Sequence, residues 1–159
     1  MENRTTGFLI AYEVKDCEDK VKGFGVFAKQ DIAKGTTIWR PTSLIKKLSL
    51  EEVYVRLESM TPEEAQIFLK HAFVMPSEDD KLCINPTDDG RFTNHSSNPN
   101  EYVPEGGKEA FAARNIKAGE ELTIDYSGLA SPQWYKELCH KYGVMSTDEV
   151  VEFERKRSC

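Results

Sequence analysis

Two helix-start signals lie in the middle of the chain, between short segments of β-forming residues, and they limit the folds open to it. Ser49-Leu50-Glu51-Glu52 has the pattern of a capping box, in which two side chains satisfy free backbone N–H groups at the start of a helix. Thr61-Pro62-Glu63-Glu64 repeats the pattern with proline at the first helical position. Apolar residues recur at helical spacing after each signal. The sequence therefore predicts a helical pair over Leu48–Phe73, inserted between β segments.

The β-forming segments are short and are separated by turn sequences. In one of them Gly23 and Gly25 interrupt an apolar run, and glycine inside a strand pattern indicates a bulge or the close approach of another backbone or a ligand. The segments predicted to contain strands are Phe8–Val14, Lys22–Ala28, Ile32–Trp39, Glu109–Asn115 and Glu121–Tyr126.

The end of the chain is predicted to be helical again. Ser131 is expected to cap a helix that begins at Pro132 and stops at Gly143. Ser146-Thr147-Asp148-Glu149 is a further capping box and opens a last helix. The basic residues Arg155–Arg157 suit the C-terminal end of that helix, where the helix dipole is negative.

The sequence has 159 residues and a formal net charge of −6 at pH 7. That length suits a compact domain with its own hydrophobic core. The acidic balance argues against a nucleic-acid binder that works through a broad basic face, and it fits a lysine- or arginine-rich partner better. No apolar run is long enough for a transmembrane helix, and the first residues are too polar for a signal peptide.

The cysteines are far apart in the sequence and form no C-x-x-C pair; they are Cys17, Cys83, Cys139 and Cys159. With only three histidines besides, neither a structural zinc site nor a disulfide framework is expected. Reduced thiols are typical of an intracellular protein, and the sequence does not choose between cytoplasm and nucleus.

Three separated segments call for a joint explanation, because each is a weak signal alone. Gly23-Phe24-Gly25 is not a dinucleotide fingerprint, since no third glycine and no helix follow it. Together and in this order, KGFGVFA with IAKGTTI, RFTNHSSNPN and AARNIKAGEELTIDY resemble the SET-domain family of protein-lysine methyltransferases. The resembling segments span Gly23 to Tyr126.

The resemblance implies an α+β fold of the SET-domain, β-clip-like kind. Such a fold has several short β-sheets, an inserted helical segment, here about residues 43–85, and a C-terminal segment threaded in a pseudo-knotted arrangement. Residues 1–159 would form a single domain with a SET core over residues 5–127. The helical segment 128–159 would close the active site.

The resemblance also implies a site for S-adenosyl-L-methionine, with S-adenosyl-L-homocysteine as the product and no metal ion. The backbone of Lys22-Gly23-Phe24-Gly25 would hold this cofactor, because a missing Cβ lets the main chain approach a ligand. Asn94 and His95 would contact its methionine and adenine parts. An asparagine amide offers both an acceptor to an ammonium and donors to a carboxylate.

Tyr126 matches the catalytic tyrosine of the family, and its hydroxyl would lie where the methyl group passes to the lysine amine. Trp134 or Tyr135 would stack on the adenine, or both would simply pack their helix onto the core. Tyr102 and Ile124 would line the lysine channel with Tyr126, although Tyr102 also fits an ordinary strand position. Ile124 has no hydroxyl to hold a water molecule, which favours di- or trimethylation.

One departure from the family concerns zinc. Ser97 stands where the family often has a zinc-binding cysteine, and no cysteine-rich segment precedes or follows the three segments. The resemblance therefore predicts a small member of the family without zinc-bound flanks.

The chemistry of methyl transfer fits the residue types. A lysine must be neutral to attack a methyl carbon, yet its ordinary pKa is about 10.4. An apolar channel disfavours the ammonium, a nearby cationic sulfonium acts in the same direction, and alignment of the reactants supplies much of the remaining rate. No Ser-His-Asp or Cys-His set competes with this interpretation.

Two other functions stay open at this point. A non-catalytic SET-like module would bind a peptide without methylating it, but the retained Asn94, His95 and Tyr126 argue against it. A small β-clip domain that binds a carbohydrate or another ligand would explain only the glycine-containing segment. The favoured function is transfer of methyl groups to a lysine of a basic protein, histone or non-histone. We expect no direct contact with nucleic acid or membrane, and the oligomeric state is not predicted.

Overall fold

The computed structural model describes residues 6–157 and contains short strands and four helices. In chain order these are β1 (Tyr12–Asp16), β2 (Phe24–Ala28), β3 (Thr37–Trp39), β4 (Lys46–Ser49), α1 (Leu50–Glu58), α2 (Pro62–Lys70), β5 (Lys81–Ile84), β6 (Asn94–His95), β7 (Glu101–Tyr102), β8 (Ala110–Ala112), β9 (Glu121–Ile124), α3 (Gln133–Lys141) and α4 (Thr147–Arg157). Among the described residues, no helix has the length and apolar character needed to cross a membrane.

The chain divides into two compact units. The described residues of the first unit are 6–44 and 87–125, and those of the second are 45–86 and 126–157. Nearly all of the helical insert predicted over residues 43–85 therefore belongs to the same unit as the C-terminal helices. Assignment of residues 1–159 to a single domain, with a core over 5–127, stays a prediction.

The first unit contains two small sheets. One has the strand order β1-β2-β9-β6 and the other β3-β8-β7. All neighbouring strands are antiparallel except β6 and β9, which run parallel. Alternation along the strands places apolar side chains on one face, and this face forms the core of the unit. The buried members are Phe8, Val26, Ala28, Ile32, Ile38, Ala112, Ile116 and Leu122.

The second unit packs helices against the two-stranded antiparallel sheet β4-β5. Val53 and Leu57 of α1 and Leu69 of α2 are buried in its core together with Leu82 of β5 and Leu138 of α3. Val53, Leu57 and Leu69 are among the apolar residues that recur at helical spacing in the sequence, and all three are buried. The sheet β4-β5 was not predicted, because both of its strands lie inside the segment assigned as a helical insert.

The predicted helix starts are confirmed at three of four places, including α4, which begins directly after Ser146, and wrong at the fourth. Ser49 and Glu52 form both bonds of a capping box, and Thr61 Oγ1 accepts a hydrogen bond from the Glu64 N–H at 3.2 Å. Ser131, however, does not cap α3. The N-cap of α3 is Pro132, and the Ser131 hydroxyl accepts a hydrogen bond from Asp148 N–H at the start of α4 instead.

Candidate functional site

The three segments singled out in the sequence meet in one sheet of the first unit. Strand β9 pairs antiparallel with β2, with Phe27 opposite Glu121, and parallel with β6, with Asn94 opposite Thr123 and His95 opposite Ile124. Parallel neighbours need a long connection, so no turn signal could have predicted this pairing. The sheet places the Asn94-His95 pair directly beside the strand that leads, two residues later, to Tyr126.

The Asn94 side chain is fixed by hydrogen-bond acceptors on one side. Its Nδ2 donates to the Phe24 carbonyl oxygen and to Glu121 Oε2, both at 2.9 Å, and lies 3.7 Å from the Cys17 thiol. An amide nitrogen carries two protons, so these two oxygens use both of them. Turning the amide over would set its oxygen against a carbonyl and a carboxylate. Asn94 Oδ1 therefore faces away from this cluster as a hydrogen-bond acceptor.

Glu121 carries an ion pair on its other oxygen. Lys22 Nζ lies 2.8 Å from Glu121 Oε1, and the two side chains are only 25% and 16% exposed. Water and salt screen a partly buried ion pair less than a fully exposed one, so this contact is more than an incidental surface pair. The Lys22 side chain, predicted within the cofactor-binding segment, is thus engaged with the protein itself. The role predicted for this segment concerns its backbone groups, and it stays a prediction.

Gly23 and Gly25 of the first segment are glycines for different reasons, one conformational and one steric. Gly23 has a φ of 67°, in the left-handed region that glycine adopts without strain. At Gly25 the constraint is space, because an added Cβ would lie 2.6 Å from Cys17 Sγ and 2.7 Å from Glu121 Oε2. The missing side chain lets Glu121 and Asn94 approach the β2 backbone. Phe24, between the glycines, is exposed and its ring meets Phe92 edge-on, with 6.1 Å between centroids.

Cys17 and Glu121 belong to the cluster around Asn94 although neither was predicted as a site residue. Burial raises the pKa of the Cys17 thiol to about 11, and the Glu121 carboxylate acts in the same direction. A thiol with such a pKa is a poor nucleophile at neutral pH. The available signal for Glu121 was strand alternation: Leu122 faces the core, so Glu121 before it faces the opposite side.

Asn100 ties the polar segment to the same strand. Its Nδ2 donates to the Glu121 carbonyl oxygen at 2.8 Å, and its Oδ1 accepts from Thr123 N–H at 2.9 Å. Both partners are backbone groups of β9, so this strand satisfies the nitrogen and the oxygen of the buried Asn100 amide. Asn100 is the last residue of the RFTNHSSNPN segment, but no role was predicted for it.

His95 and Ile124 lie next to each other on the paired strands. His95 is buried, and its Nδ1 is 3.7 Å from the Asp125 carboxylate. Ile124 is half-buried. Tyr102, the other predicted channel residue of this unit, lies in the other sheet on β7, where it is 47% exposed and packs against Phe111 with ring centroids 5.8 Å apart. The structure therefore groups His95 with Ile124 but places Tyr102 on a different sheet.

The remaining predicted site residues belong to the second unit. Tyr126 begins a short 3-10 turn and its carbonyl accepts from Leu129 N–H at 2.9 Å. Trp134 is half-buried on α3, and its indole Nε1 donates to the Asp79 carbonyl at 2.8 Å. Tyr135 is 1% exposed, and burial raises the pKa of its phenol. The Tyr135 ring therefore packs into the core of this unit, as one of the two predicted alternatives has it, and stacking of Trp134 on the adenine stays a prediction.

Metal-ligating residues are not gathered in the part of the chain that the structure describes. No group of three or more His, Cys, Asp or Glu side chains within residues 6–157 is arranged to hold a metal ion. Cys17, Cys83 and Cys139 are free thiols, and Cys159 lies outside the described residues.

Comparison with known families identifies this arrangement. A family model described as SET domain matches residues 23–127. The chain belongs to the SET-domain family. The family predicted from the three segments is thereby confirmed, and so are the α+β class and the SET fold, since small sheets and helices combine here as in solved SET domains. The pseudo-knotted threading of the C-terminal segment stays a prediction.

Named relatives and a solved structure support the assignment. This SET domain is 32% identical over 125 residues to a Candida albicans protein named histone-lysine N-methyltransferase, H3 lysine-36 specific, covering 72% of the chain and 14% of that relative. It is 32% identical over 157 residues to the Schizosaccharomyces pombe histone-lysine N-methyltransferase set5, covering 86% and 49%. The methyltransferase domain of human SETMAR superposes with a TM-score of 0.52 at 25% identity, covering 75% and 46%. The chain spans less than half of each of these proteins.

Proposed function

We propose that this chain is a protein-lysine N-methyltransferase that uses S-adenosyl-L-methionine. The observation that carries the proposal is the pairing of β2, β9 and β6, which assembles the glycine, Asn94-His95 and Glu121–Ile124 segments in one sheet. Relatives of this SET domain are named histone-lysine N-methyltransferases, in agreement with that assembly.

The residues around Asn94 fit the amino-acid part of the cofactor. Asn94 Oδ1 is an acceptor suited to an α-ammonium, while both amide protons are engaged with the protein. This refines the prediction, because the amide serves as an acceptor and does not also donate to the cofactor's carboxylate. We propose that the backbone of Lys22–Gly25, with Asn94 and His95, holds the cofactor. Tyr126 and Trp134 are kept as proposed binding residues on the resemblance alone.

The cofactor supplies a methyl group activated by a sulfonium, and S-adenosyl-L-homocysteine remains after transfer. The protein's part is to present a neutral lysine amine in line with that methyl carbon. We propose that the Tyr126 hydroxyl orients the amine, and that the apolar side chain of Ile124 disfavours its protonated form. Tyr102, half exposed on β7, is kept as a proposed channel residue on the resemblance alone.

The proposed substrate is a lysine of a basic protein. The net charge of −6 favours approach of a lysine-rich segment through long-range attraction. Histones are the first candidates because the relatives' names state histone lysines as their targets. We propose that the protein acts inside the cell, where such targets occur, and that it adds two or three methyl groups because Ile124 offers no hydroxyl to retain a water molecule.

Calorimetric titration with S-adenosylmethionine and with S-adenosylhomocysteine tests the cofactor assignment without knowledge of the substrate. We expect one-to-one binding by the natural protein and its loss in Asn94→Ala. Asn98→Ala, which changes an exposed asparagine in the loop after β6, is the matched control and should bind normally. Absence of binding by the natural protein would overturn the proposal and favour a non-catalytic peptide-binding module. Incubation of the binding-competent protein with core histones and labelled cofactor then tests transfer.

A further inference from the structure

We infer that Glu121 is a positioning residue, whose carboxylate sets the orientation of the Asn94 amide for cofactor binding. The inference rests on the proposed cofactor role of Asn94 and adds a residue that the resemblance does not assign. It comes from one contact, the 2.9 Å hydrogen bond from Asn94 Nδ2 to Glu121 Oε2. This contact fixes which end of the amide faces the cofactor.

An asparagine side chain has two nearly isosteric ends, and only its hydrogen-bond partners decide which end points where. The Phe24 carbonyl alone would hold one proton of Asn94. The Glu121 carboxylate accepts a hydrogen bond from the second N–H of the amide. Hydrogen bonds to an ionised acceptor are stronger than those between neutral groups. With both protons held, rotation of the amide by half a turn costs two hydrogen bonds and creates two oxygen–oxygen contacts.

Glu121 is itself held in place from three directions. Lys22 Nζ fixes its second carboxylate oxygen at 2.8 Å. Its main chain pairs with Phe27 of β2, and its carbonyl accepts from Asn100 Nδ2 at 2.8 Å. The carboxylate therefore has little freedom to follow a moving amide. A fixed acceptor of this kind preorganises its partner before any ligand binds.

The absence of a side chain at Gly25 makes room for this arrangement. A Cβ at that position would lie 2.7 Å from Glu121 Oε2 and 3.1 Å from Asn94 Nδ2, so it would press on the hydrogen bond from both ends. The glycine of the first segment thus serves the Glu121–Asn94 contact within the protein, in addition to any direct approach to the cofactor.

A double-mutant cycle tests whether Glu121 acts through Asn94. We would measure the Kd of S-adenosylhomocysteine for the natural protein, Glu121→Ala, Asn94→Ala and the double variant. We expect Glu121→Ala to weaken binding about tenfold or more, and to have little further effect once Asn94 is alanine. Glu120→Gln is the matched control, since it removes the same charge from the neighbouring residue, which bonds to Lys117 and Arg114 and not to Asn94.

A second ligand separates positioning from a general loss of structure. 5′-Methylthioadenosine shares the nucleoside of the cofactor but lacks its ammonium and carboxylate. Glu121→Ala should leave the Kd of this ligand unchanged and should raise the Kd of S-adenosylhomocysteine. An equal rise in the Kd values of both ligands would show a merely structural role and overturn the inference. So would fully additive effects of Glu121→Ala and Asn94→Ala on the Kd of S-adenosylhomocysteine.

The variants also separate failure of the inference from failure of the proposed function. If Asn94→Ala abolishes cofactor binding while Glu121→Ala has no effect, positioning fails and the proposed function stands. If the natural protein binds neither cofactor form, both fail together.

Discussion

The indole Nε1 of Trp39 donates a hydrogen bond to Asp88 Oδ2 at 2.8 Å, and the Asp88 side chain is completely buried. The other oxygen, Oδ1, accepts from the backbone N–H groups of Gly7 and Gly90 at 3.1 and 3.0 Å. A Cβ at Gly7 or at Gly90 would lie within 3 Å of the same indole nitrogen. One carboxylate thus joins the beginning of the described chain, strand β3 and the loop that precedes β6.

Asp88→Ala should destabilise the protein strongly, because it leaves several buried donors without an acceptor. We expect a loss of about 3 kcal/mol in the free energy of unfolding, measured by urea denaturation. Trp39→Phe removes a single donor and should cost less. Asp80→Ala, at an exposed position, is the control and should change stability by less than about 0.5 kcal/mol. A loss in Asp88→Ala no larger than in this control would show that the carboxylate is not a structural centre.

Gly25→Ala should impair cofactor binding more than it impairs folding. The added methyl group would lie 2.6 Å from Cys17 Sγ and 2.7 Å from Glu121 Oε2, so the cluster around Asn94 must shift. We expect the Kd for S-adenosylhomocysteine to rise about tenfold or more, as measured by calorimetry. Gly128→Ala introduces the same methyl group with no atom within 4 Å of it, and should bind normally. Normal binding by both variants would contradict the crowding argument.

Tyr126→Phe should abolish methyl transfer and spare cofactor binding. Removing the hydroxyl takes away the group proposed to orient the lysine amine, while the ring remains. We expect the turnover number to fall by at least about a hundredfold in a radiolabel transfer assay, with an unchanged Kd for S-adenosylhomocysteine. Tyr142→Phe is a suitable control, because it makes the same change at the C-cap of α3. Undiminished turnover in Tyr126→Phe would remove Tyr126 from the catalytic role.

Local signals in the sequence predicted local structure well. The capping box at Ser49 and Glu52 and the stop at Gly143, which has a φ of 74°, depend on residues within four positions of each other. Such contacts form wherever the chain is helical, so their pattern is visible in the sequence. Ser131 failed as a cap because its hydroxyl bonds to Asp148, seventeen positions later in the numbering. That competition is decided by tertiary structure.

The sequence did not predict which strands pair when they lie far apart along the chain. Strands β4 and β5 pair across the two intervening helices, and Leu48 gave only a helix-flanking signal although it lies opposite Leu82 in that sheet. Strand β1 begins at Tyr12, and the expected strand start at Phe8 forms only an isolated bridge with Trp39. Each of these outcomes depends on a partner far along the chain, and strand propensity carries no information about partners.

The candidate site shows the same division. Motif resemblance singled out Asn94, His95 and Gly25, and the structure places all three on strands of one sheet, while their role in cofactor binding stays a prediction. The contact of Glu121 with Asn94 requires the parallel register that sets Asn94 opposite Thr123. The sequence around the buried Asp88 indicates only a turn, because the donors to its carboxylate include Thr6, Gly7 and Trp39, which lie far away along the chain.

We expect Glu101 of the first unit to make the stability of the protein depend on pH. This residue of β7 is 2% exposed, and its Oε2 has no hydrogen-bond partner among residues 6–157. Burial raises the pKa of its carboxyl to about 8. In the unfolded chain the pKa of a glutamate is about 4.3. Between these two values the folded protein keeps a proton that the unfolded chain has lost, so stability falls as pH rises through this window and levels off above about pH 8.

Glu101→Gln should remove this pH dependence, because glutamine has nearly the same shape and cannot ionise. We expect the variant to match the natural protein in urea denaturation near pH 4.5 and to be more stable at pH 8. The gap should widen by up to about 1.4 kcal/mol per pH unit within the window. Glu109→Gln, which removes an exposed charge paired with Arg40, is the control and should follow the pH profile of the natural protein. A stability gap between Glu101→Gln and the natural protein that stays constant from pH 4.5 to pH 8 would show that Glu101 is ionised in the folded state throughout this range.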